Sequence, residues 1–418
     1  MSIKPERNDP CPCGSGKIFE KCCQEWYEAK FSVKKVAAST SELETKTLLA
    51  PDSFNNKTGS AMNPSIFLNA ILRNFLAKIH NVEKDNYDTR RFSHKGVDLS
   101  EYFDLGSHAD YMTLFVEQYE AFFATWQLLC DDISRERFIR LILYRLLGHL
   151  HMRINDEVTA SGERSLFEKV AGLQTGISTL PRIFGPLLHF EDIEFDSHRL
   201  RADCGPGNVM YTFFKRQYYF ERLGIRIQPE QGDTVIDGGA CLGDTAVAFA
   251  ARVGKKGRVF SFDPLPTHVA VSQHNIEQNA FGDRASVIPL AIGNATKNTN
   301  QRISQYQSVA PGFCIIGKEE LIPMTTIDDF VKAEKPGRVN FIKMDIEGAE
   351  LAALHGAADT LVRDQPKVAV SLYHLPVDFI TIPQFLASLL PDYDFHLEHY
   401  TIHKEETVLY GSPRRCQR

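Results

Sequence analysis

Val235-Ile236-Asp237-Gly238-Gly239-Ala240-Cys241-Leu242-Gly243-Asp244-Thr245 decides how the second half of the chain reads. A short β-branched run, Thr234–Asp237, ends in a glycine-rich turn, and a helical pattern follows. The same grammar recurs at Val259–Asp263, Ser286–Leu290, Asn340–Asp345 and Val368–Tyr373, each closing in a loop that leads to a helical stretch. Strands alternating with helices imply right-handed crossovers and a parallel sheet covered on both faces. The tail differs, because Tyr393–Tyr400 and Glu406–Gly411 are separated by too few residues for a crossover and must pair antiparallel. The expected fold is α/β: a doubly wound sheet closed by a C-terminal antiparallel hairpin.

Upstream the pattern changes. From Pro64 to about Leu200 it reads as helical, with Phe115, Tyr119, Phe122, Trp126 and Leu129 forming a core stripe and Phe138, Leu141, Arg145 and Leu146 opening the next helix after Asp131-Asp132. Ala37–Ser60, rich in Ser, Thr, Asn and Lys, reads as a linker. The expected organisation is a cysteine module over 1–30, a linker over 31–63, a mainly helical region over 64–205 and the α/β domain over 206–418. The helical region is expected to pack over the sheet rim and shape an acceptor pocket.

Three nucleotide-binding loops compete for the glycine stretch. Gly-x-Gly-x-x-Gly fails at Ala240. Gly-x-x-x-x-Gly-Lys fails because Asp244 stands where a phosphate-attracting lysine is required. Asp-x-Gly-x-x-x-Gly is met by Asp237, Gly239 and Gly243, the loop of S-adenosyl-L-methionine (SAM) dependent methyltransferases. SAM has no pyrophosphate, so a cation at the turn is unnecessary. Its ammonium needs an acceptor such as Asp237, and its carboxylate suits the helix N-terminus at Asp244-Thr245. Gly238 and its neighbours let the backbone approach. Asp263, closing the second strand, suits the ribose hydroxyls.

The fourth strand continues Phe341-Ile342-Lys343-Met344-Asp345-Ile346-Glu347-Gly348-Ala349-Glu350. In a doubly wound sheet strands one and four are neighbours, and ligands sit at their carboxyl ends. Lys343 and Asp345 share a strand face, Glu347 follows, and His374 ends the fifth strand. Methyl transfer to a hydroxyl needs alignment and a proton acceptor. Asp345 is the first candidate base and His374 the second, with Lys343 holding Asp345 ionised or orienting the acceptor. A Mg²⁺ gathered by Asp345, Glu347 and His374 is the other arrangement these residues allow.

Cys11, Cys13, Cys22 and Cys23 form two tight pairs around a glycine-turned loop, suited to a tetrahedral thiolate site. The segment resembles the SEC-C motif, with Pro12, Gly14-Ser15-Gly16-Lys17 and Phe19 also in place. That resemblance implies zinc on the four cysteines and a docking role toward a protein partner. Cys130, Cys204, Cys241, Cys314 and Cys416 are scattered and read as small hydrophobes.

The α/β half resembles the FkbM family of methyltransferases over roughly Tyr211 to Gly411. The resemblance rests on Val235–Ala240 through Thr245, Phe262-Asp263-Pro264, Leu290-Ala291-Ile292-Gly293, Thr326–Phe330, Phe341–Glu350, Leu354–Ala357 and Glu406–Tyr410, with a looser echo at Asp131–Arg135. It implies a Rossmann-like SAM-dependent O-methyltransferase acting on hydroxyls of sugars, glycoconjugates or similar small molecules, with Ala291 near the cofactor. Asp263 stands where the family often has Glu, and Cys241 occupies a variable loop position.

The whole chain has 418 residues, 43% hydrophobic and 24% charged, which excludes wholesale disorder. A net charge of -6 provides no global attraction for nucleic acid, and no base-methylation motif follows strand four. The N-terminus shows no apolar signal region, so a cytoplasmic location is expected, and with it thiols or metal ligands rather than disulfides. The rival to an enzyme is a non-catalytic SAM-binding or scaffold protein that docks to a partner through the cysteine module.

Overall fold

The computed structural model describes residues 62–86, 105–183, 185–302, 306–307, 314–315 and 321–414. Cys11, Cys13, Cys22 and Cys23, and the linker up to residue 61, lie outside the described residues.

Among the described residues four helices lead: α1 (Pro64–Lys78), α2 (Leu105–Leu128), α3 (Asp132–Leu147) and α4 (Ala160–Ala171). Their starts are chemically marked. Asn63 Oδ1 accepts from the Ile66 N–H ahead of Pro64, and the Asp131 and Thr159 side chains cap α3 and α4 in the same way. Phe122 and Phe138 bring α2 onto α3, with ring centroids 6.2 Å apart.

Residues 174–204 depart from the helical expectation. They form a three-stranded antiparallel sheet: β1 (Gln174–Ile177), β2 (Leu188–Phe195) and β3 (His198–Cys204). Asp196 and Ser197 both adopt positive φ, 44° and 64°, as the tight hairpin between β2 and β3 requires. A bulge between Phe190 and Ile193, with Asp192 at φ 56°, breaks the two-residue alternation that would have announced the strand.

After a small hairpin, β4 (Phe220–Arg222) with β5 (Ile225–Ile227), the α/β half begins. It comprises β6 (Thr234–Gly238), α5 (Asp244–Val253), β7 (Arg258–Phe262), α6 (Pro266–Gln278) and β8 (Ala285–Ile288). A side sheet follows, with β9 (Ala291–Ile292), β10 (Lys297–Arg302) and β13 (Leu321–Thr325), beside a two-stranded pair, β11 (Tyr306–Gln307) and β12 (Cys314–Ile315). The chain closes with α7 (Ile327–Glu334), β14 (Phe341–Met344), α8 (Glu350–His355), α9 (Ala358–Asp364), β15 (Lys367–Ser371), α10 (Asp378–Leu389), β16 (Tyr393–His399) and β17 (Thr407–Pro413).

The main sheet runs β16-β17-β15-β14-β6-β7-β8. β8, β7, β6, β14 and β15 are parallel, whereas β17 and β16 are antiparallel, as expected. Every residue of β6 and β14 is buried, the signature of a parallel strand covered on both faces. The strand order reverses between β6 and β14, and the register there sets Asp237 opposite Lys343.

The leading helices dock on the antiparallel edge. Phe138 of α3 meets Phe379 of α10 at 5.9 Å, and the Cys130 N–H donates to Phe395 O of edge strand β16 at 2.9 Å. That contact protects an otherwise open edge. The tip of α3 reaches the rim, where Arg145 donates to Lys404 O in the β16–β17 loop. No helix among the described residues is long and apolar enough to cross a membrane.

Candidate active site

The glycine loop is built against the strand beside it. Gly239 has φ +86°, and a Cβ there would fall 1.9 Å from Asp345 O. At Gly243, φ +78°, a Cβ would fall 2.6 Å from Ser272 Cα on α6. Both glycines therefore serve the packing of the loop between β14 and α6.

Asp237 is wholly buried. Its Oδ2 accepts from Thr245 Oγ1 at 2.9 Å and Ser261 Oγ at 2.8 Å, and its Oδ1 lies 3.1 Å from Lys343 Nζ. Lys343 Nζ also donates to Gly238 O at 3.0 Å and Gly239 O at 2.8 Å. Burial opposes the charge on Lys343, yet Asp237 and Asp345 hold its pKa above the usual lysine value. Asp237 is thereby tied into the loop, with Oδ2 accepting from two hydroxyls and Oδ1 facing Lys343. Lys343 joins the loop to β14 through Asp237 and two carbonyls, and its charge helps to hold Asp345 ionised.

Asp263 reaches back to the same loop. Its Oδ2 accepts from the Cys241 N–H at 2.9 Å and faces His268 Nδ1 at 3.1 Å, while Oδ1 accepts from the Leu265 N–H at 3.0 Å. A carboxylate has about four lone-pair sites, so capacity for further donors remains. Asp244, first residue of α5, accepts from Asn208 Nδ2 at 3.0 Å and from Thr212 Oγ1. Burial raises its pKa. Ala291 begins β9, and Ile292 beside it lies against the loop, 3.3 Å from where a Gly238 Cβ would stand.

A second group of side chains gathers at the carboxyl ends of β14 and β15. Asp345 Oδ2 accepts from Tyr218 OH at 2.7 Å, and Oδ1 accepts from Tyr373 OH at 2.8 Å. Its side chain keeps 23% exposure. Burial works to raise the Asp345 pKa, but His374 and Lys343, with the two phenols, hold it below the ordinary carboxylate value. Burial, and then the Asp345 charge, push both tyrosines well above theirs, so they remain donors.

His374 is 2% exposed and ringed by acids. Nδ1 lies 2.9 Å from Glu350 Oε1, and Nε2 lies 3.3 Å from Asp345 Oδ1 and 3.5 Å from Glu347 Oε2. Burial alone would lower its pKa, but Glu350, Asp345 and Glu347 push it up to about 10. That counts against His374 as a base, since both ring nitrogens face carboxylates. Glu350, at the start of α8, accepts from the Ile346 and Gly348 N–H groups at 2.7 and 3.0 Å and so fixes the loop carrying Glu347. Asp378 nearby is raised to about 7 by burial and then by Glu350.

Sequence reasoning gathered Lys343, Asp345, Glu347 and His374 at one rim, and the structure brings all four together. It missed Tyr218, Tyr373 and Glu350. Tyr218 sits at φ 73° in an irregular turn that no periodicity marks. Tyr373 adjoins His374, and Glu350 ends the acidic stretch that begins at Asp345, so proximity was the available signal.

Residues 237–397 match the family model described as Methyltransferase FkbM domain, and residues 7–25 match the SEC-C motif. Hexuronic acid methyltransferase AglP of Haloferax volcanii is 24% identical over 186 residues, covering 44% of this chain and 72% of AglP. The uncharacterized protein YecA of Escherichia coli (strain K12) is 80% identical over 20 residues, 5% of this chain and 9% of YecA. Among solved structures, methyltransferase FkbM from Methylobacillus flagellatus KT aligns with TM-score 0.45 and 21% identity, covering 72% of this chain and 60% of that one. Over residues 237–397 the chain is therefore similar to the FkbM methyltransferase domain, and over residues 7–25 to the SEC-C motif.

Proposed function

We propose that the domain transfers a methyl group from SAM to a hydroxyl of a sugar, glycoconjugate or similar small acceptor. The observation that carries this reading is Asp345: a carboxylate kept anionic and partly exposed, fixed by two phenols, across the switch point from the glycine loop. Asp263 suits the ribose hydroxyls, and the first turn of α5 suits the amino-acid carboxylate of SAM. No cation stands where a pyrophosphate would need one, because Asp244 occupies that place.

In the transfer the S–CH₃ bond breaks with its electron pair staying on sulfur, and the acceptor oxygen bonds the methyl carbon. The hydroxyl proton passes to Asp345, leaving the ether and S-adenosylhomocysteine. A carboxylate of lowered pKa suffices, because the hydroxyl becomes strongly acidic as its oxygen gains the methyl group. AglP, named for a hexuronic acid, supports a sugar-type acceptor. Cys11, Cys13, Cys22 and Cys23 are proposed to hold a structural zinc that shapes a protein-docking module, on the strength of the SEC-C match.

The test is methyl transfer from labelled SAM to a panel of sugars and glycosides, alongside calorimetric titration with SAM. Wild type is expected to bind SAM and label a hydroxyl, and Asp345→Asn to retain binding while losing about 10²-fold or more in turnover. An absence of SAM binding at millimolar concentration would instead favour the scaffold.

A further inference from the structure

We propose that Asp345, Glu347 and His374 form a binding site for one divalent cation, magnesium or manganese, with Glu350 as the outer partner that orients His374. The site is taken from geometry, and its use, holding the acceptor hydroxyl, rests on the methyl-transfer reading above.

The first observation is His374 Nε2. The side chain is almost fully buried, and neither ring nitrogen completes an aligned hydrogen bond; Nε2 has only the ion-pair approaches of Asp345 Oδ1 and Glu347 Oε2, 3.3 and 3.5 Å away. A nitrogen this close to two carboxylate oxygens, but misaligned with both, is placed as ligands around a common centre are placed. Two ligands each about 2.1 Å from an ion stand about 3.0 Å apart at a right angle and about 3.4 Å apart at the tetrahedral angle.

The second observation is the other ring nitrogen. Nδ1 sits 2.9 Å from Glu350 Oε1, and Glu350 is itself pinned by the Ile346 and Gly348 N–H groups. A carboxylate behind a histidine is the usual support that fixes ring orientation and leaves the opposite nitrogen to the ion. Ligand atoms of Asp345, Glu350 and His374 all lie within 4.8 Å of one another, and Glu347 reaches this group through its Oε2, 3.5 Å from His374 Nε2. Tyr218 and Tyr373 then hold the Asp345 carboxylate in place, as supporting donors do for ligating carboxylates.

The third is access. Asp345 and Glu347 keep 23% and 36% of their side-chain exposure, so an ion there retains open positions for water or a hydroxyl. Two carboxylates and one imidazole suit a hard ion that keeps several waters.

The test is a manganese titration of the full-length, metal-stripped chain followed by electron paramagnetic resonance, with calorimetric SAM binding on the same samples. One bound Mn²⁺ per chain is expected, displaced by excess Mg²⁺ and retained when Cys11, Cys13, Cys22 and Cys23 are all changed to serine. Glu347→Gln, on a half-exposed side chain, is expected to weaken it at least tenfold, and Asp345→Asn more. Manganese that stays free at millimolar concentration overturns the proposal. So does binding undiminished in both carboxamide variants, or binding lost with the cysteines. SAM binding without manganese binding sinks the cation site alone. Manganese binding without SAM binding keeps the site and removes the methyl-transfer reading.

Discussion

Lys343 Nζ lies 3.1 Å from Asp237 Oδ1 across the β6–β14 ladder, and both side chains are buried. The pair spans the switch point of the sheet and ties the glycine loop to the strand that carries Asp345. Removing one partner leaves a buried charge uncompensated, which costs about 3–5 kcal/mol. Asp237→Asn and Lys343→Met are each expected to destabilise by that order and to lose SAM affinity. The double variant should cost clearly less than the sum, with a coupling above about 1 kcal/mol. Urea denaturation of the four proteins checks this, and strict additivity would show that the pair does not act as a unit.

Gly239 carries two demands that mutation can separate. Its φ is +86°, and a Cβ would meet Asp345 O at 1.9 Å. Gly224, in the turn between β4 and β5, has φ +77° with nothing within 4 Å of a Cβ. Gly224→Ala is therefore expected to cost about 1 kcal/mol from torsion alone. Gly239→Ala should cost at least twice that and abolish SAM binding, because the loop must leave the strand. Thermal melts and SAM calorimetry read both. Equal losses in the two variants would mean that torsion, not the contact with Asp345, governs the position.

The contrast shows what was legible in the sequence. The parallel strands declared themselves as short β-branched or apolar runs, each closing in a loop that leads to a helical stretch. The acids of the site were visible because they follow strand ends. The β2–β3 hairpin was hidden because its bulge between Phe190 and Ile193 breaks the alternation. The pairing of Lys343 with Asp237 was hidden because it follows from the β6–β14 register, and residues 106 positions apart in the chain leave no local mark. Tyr218 reaches Asp345 from a left-handed turn whose shape depends on tertiary contacts, among them its N–H donating to Tyr410 OH at 3.1 Å.

Tyr218 and Tyr373 act through Asp345, so their removal should separate binding from turnover. Tyr218→Phe and Tyr373→Phe each delete one donor to a different oxygen of the same carboxylate. Each is expected to lower kcat about tenfold while SAM affinity stays within about twofold, since hydrogen bonds to charged groups contribute about 1.5–3 kcal/mol. The double variant should lose more than either. Steady-state kinetics with the acceptor identified by labelling decides. A rise in the SAM dissociation constant without a fall in kcat would place both phenols on the cofactor side.

The cysteine module is expected to behave as a separable unit. Purified chain should contain one zinc per molecule by elemental analysis, and Cys13→Ser with Cys23→Ser should remove it. SAM affinity and the main thermal transition should remain, because the sheet and its helices bury their own core. Zinc persisting in the double-serine chain would move the metal elsewhere.

Acid lability should trace in part to His399 on β16. The ring is 1% exposed, with Nδ1 2.8 Å from Thr407 Oγ1. Burial, aided by Arg137 and Lys215 and partly offset by Glu405, brings its pKa down to about 3. In the unfolded chain the same histidine titrates near 6.5. Between those values the unfolded state binds a proton that the folded state refuses, so stability is full above about pH 6.5 and is lost as pH falls toward 3. The slope approaches 1.36 kcal/mol per pH unit, or about 2 kcal/mol between pH 6.5 and 5. His399→Gln removes that share, so its stability should fall less steeply over the same interval even if it starts lower. Denaturation midpoints measured at pH 7, 6 and 5 for both proteins provide the comparison, and parallel slopes would show that His399 is already charged in the folded state.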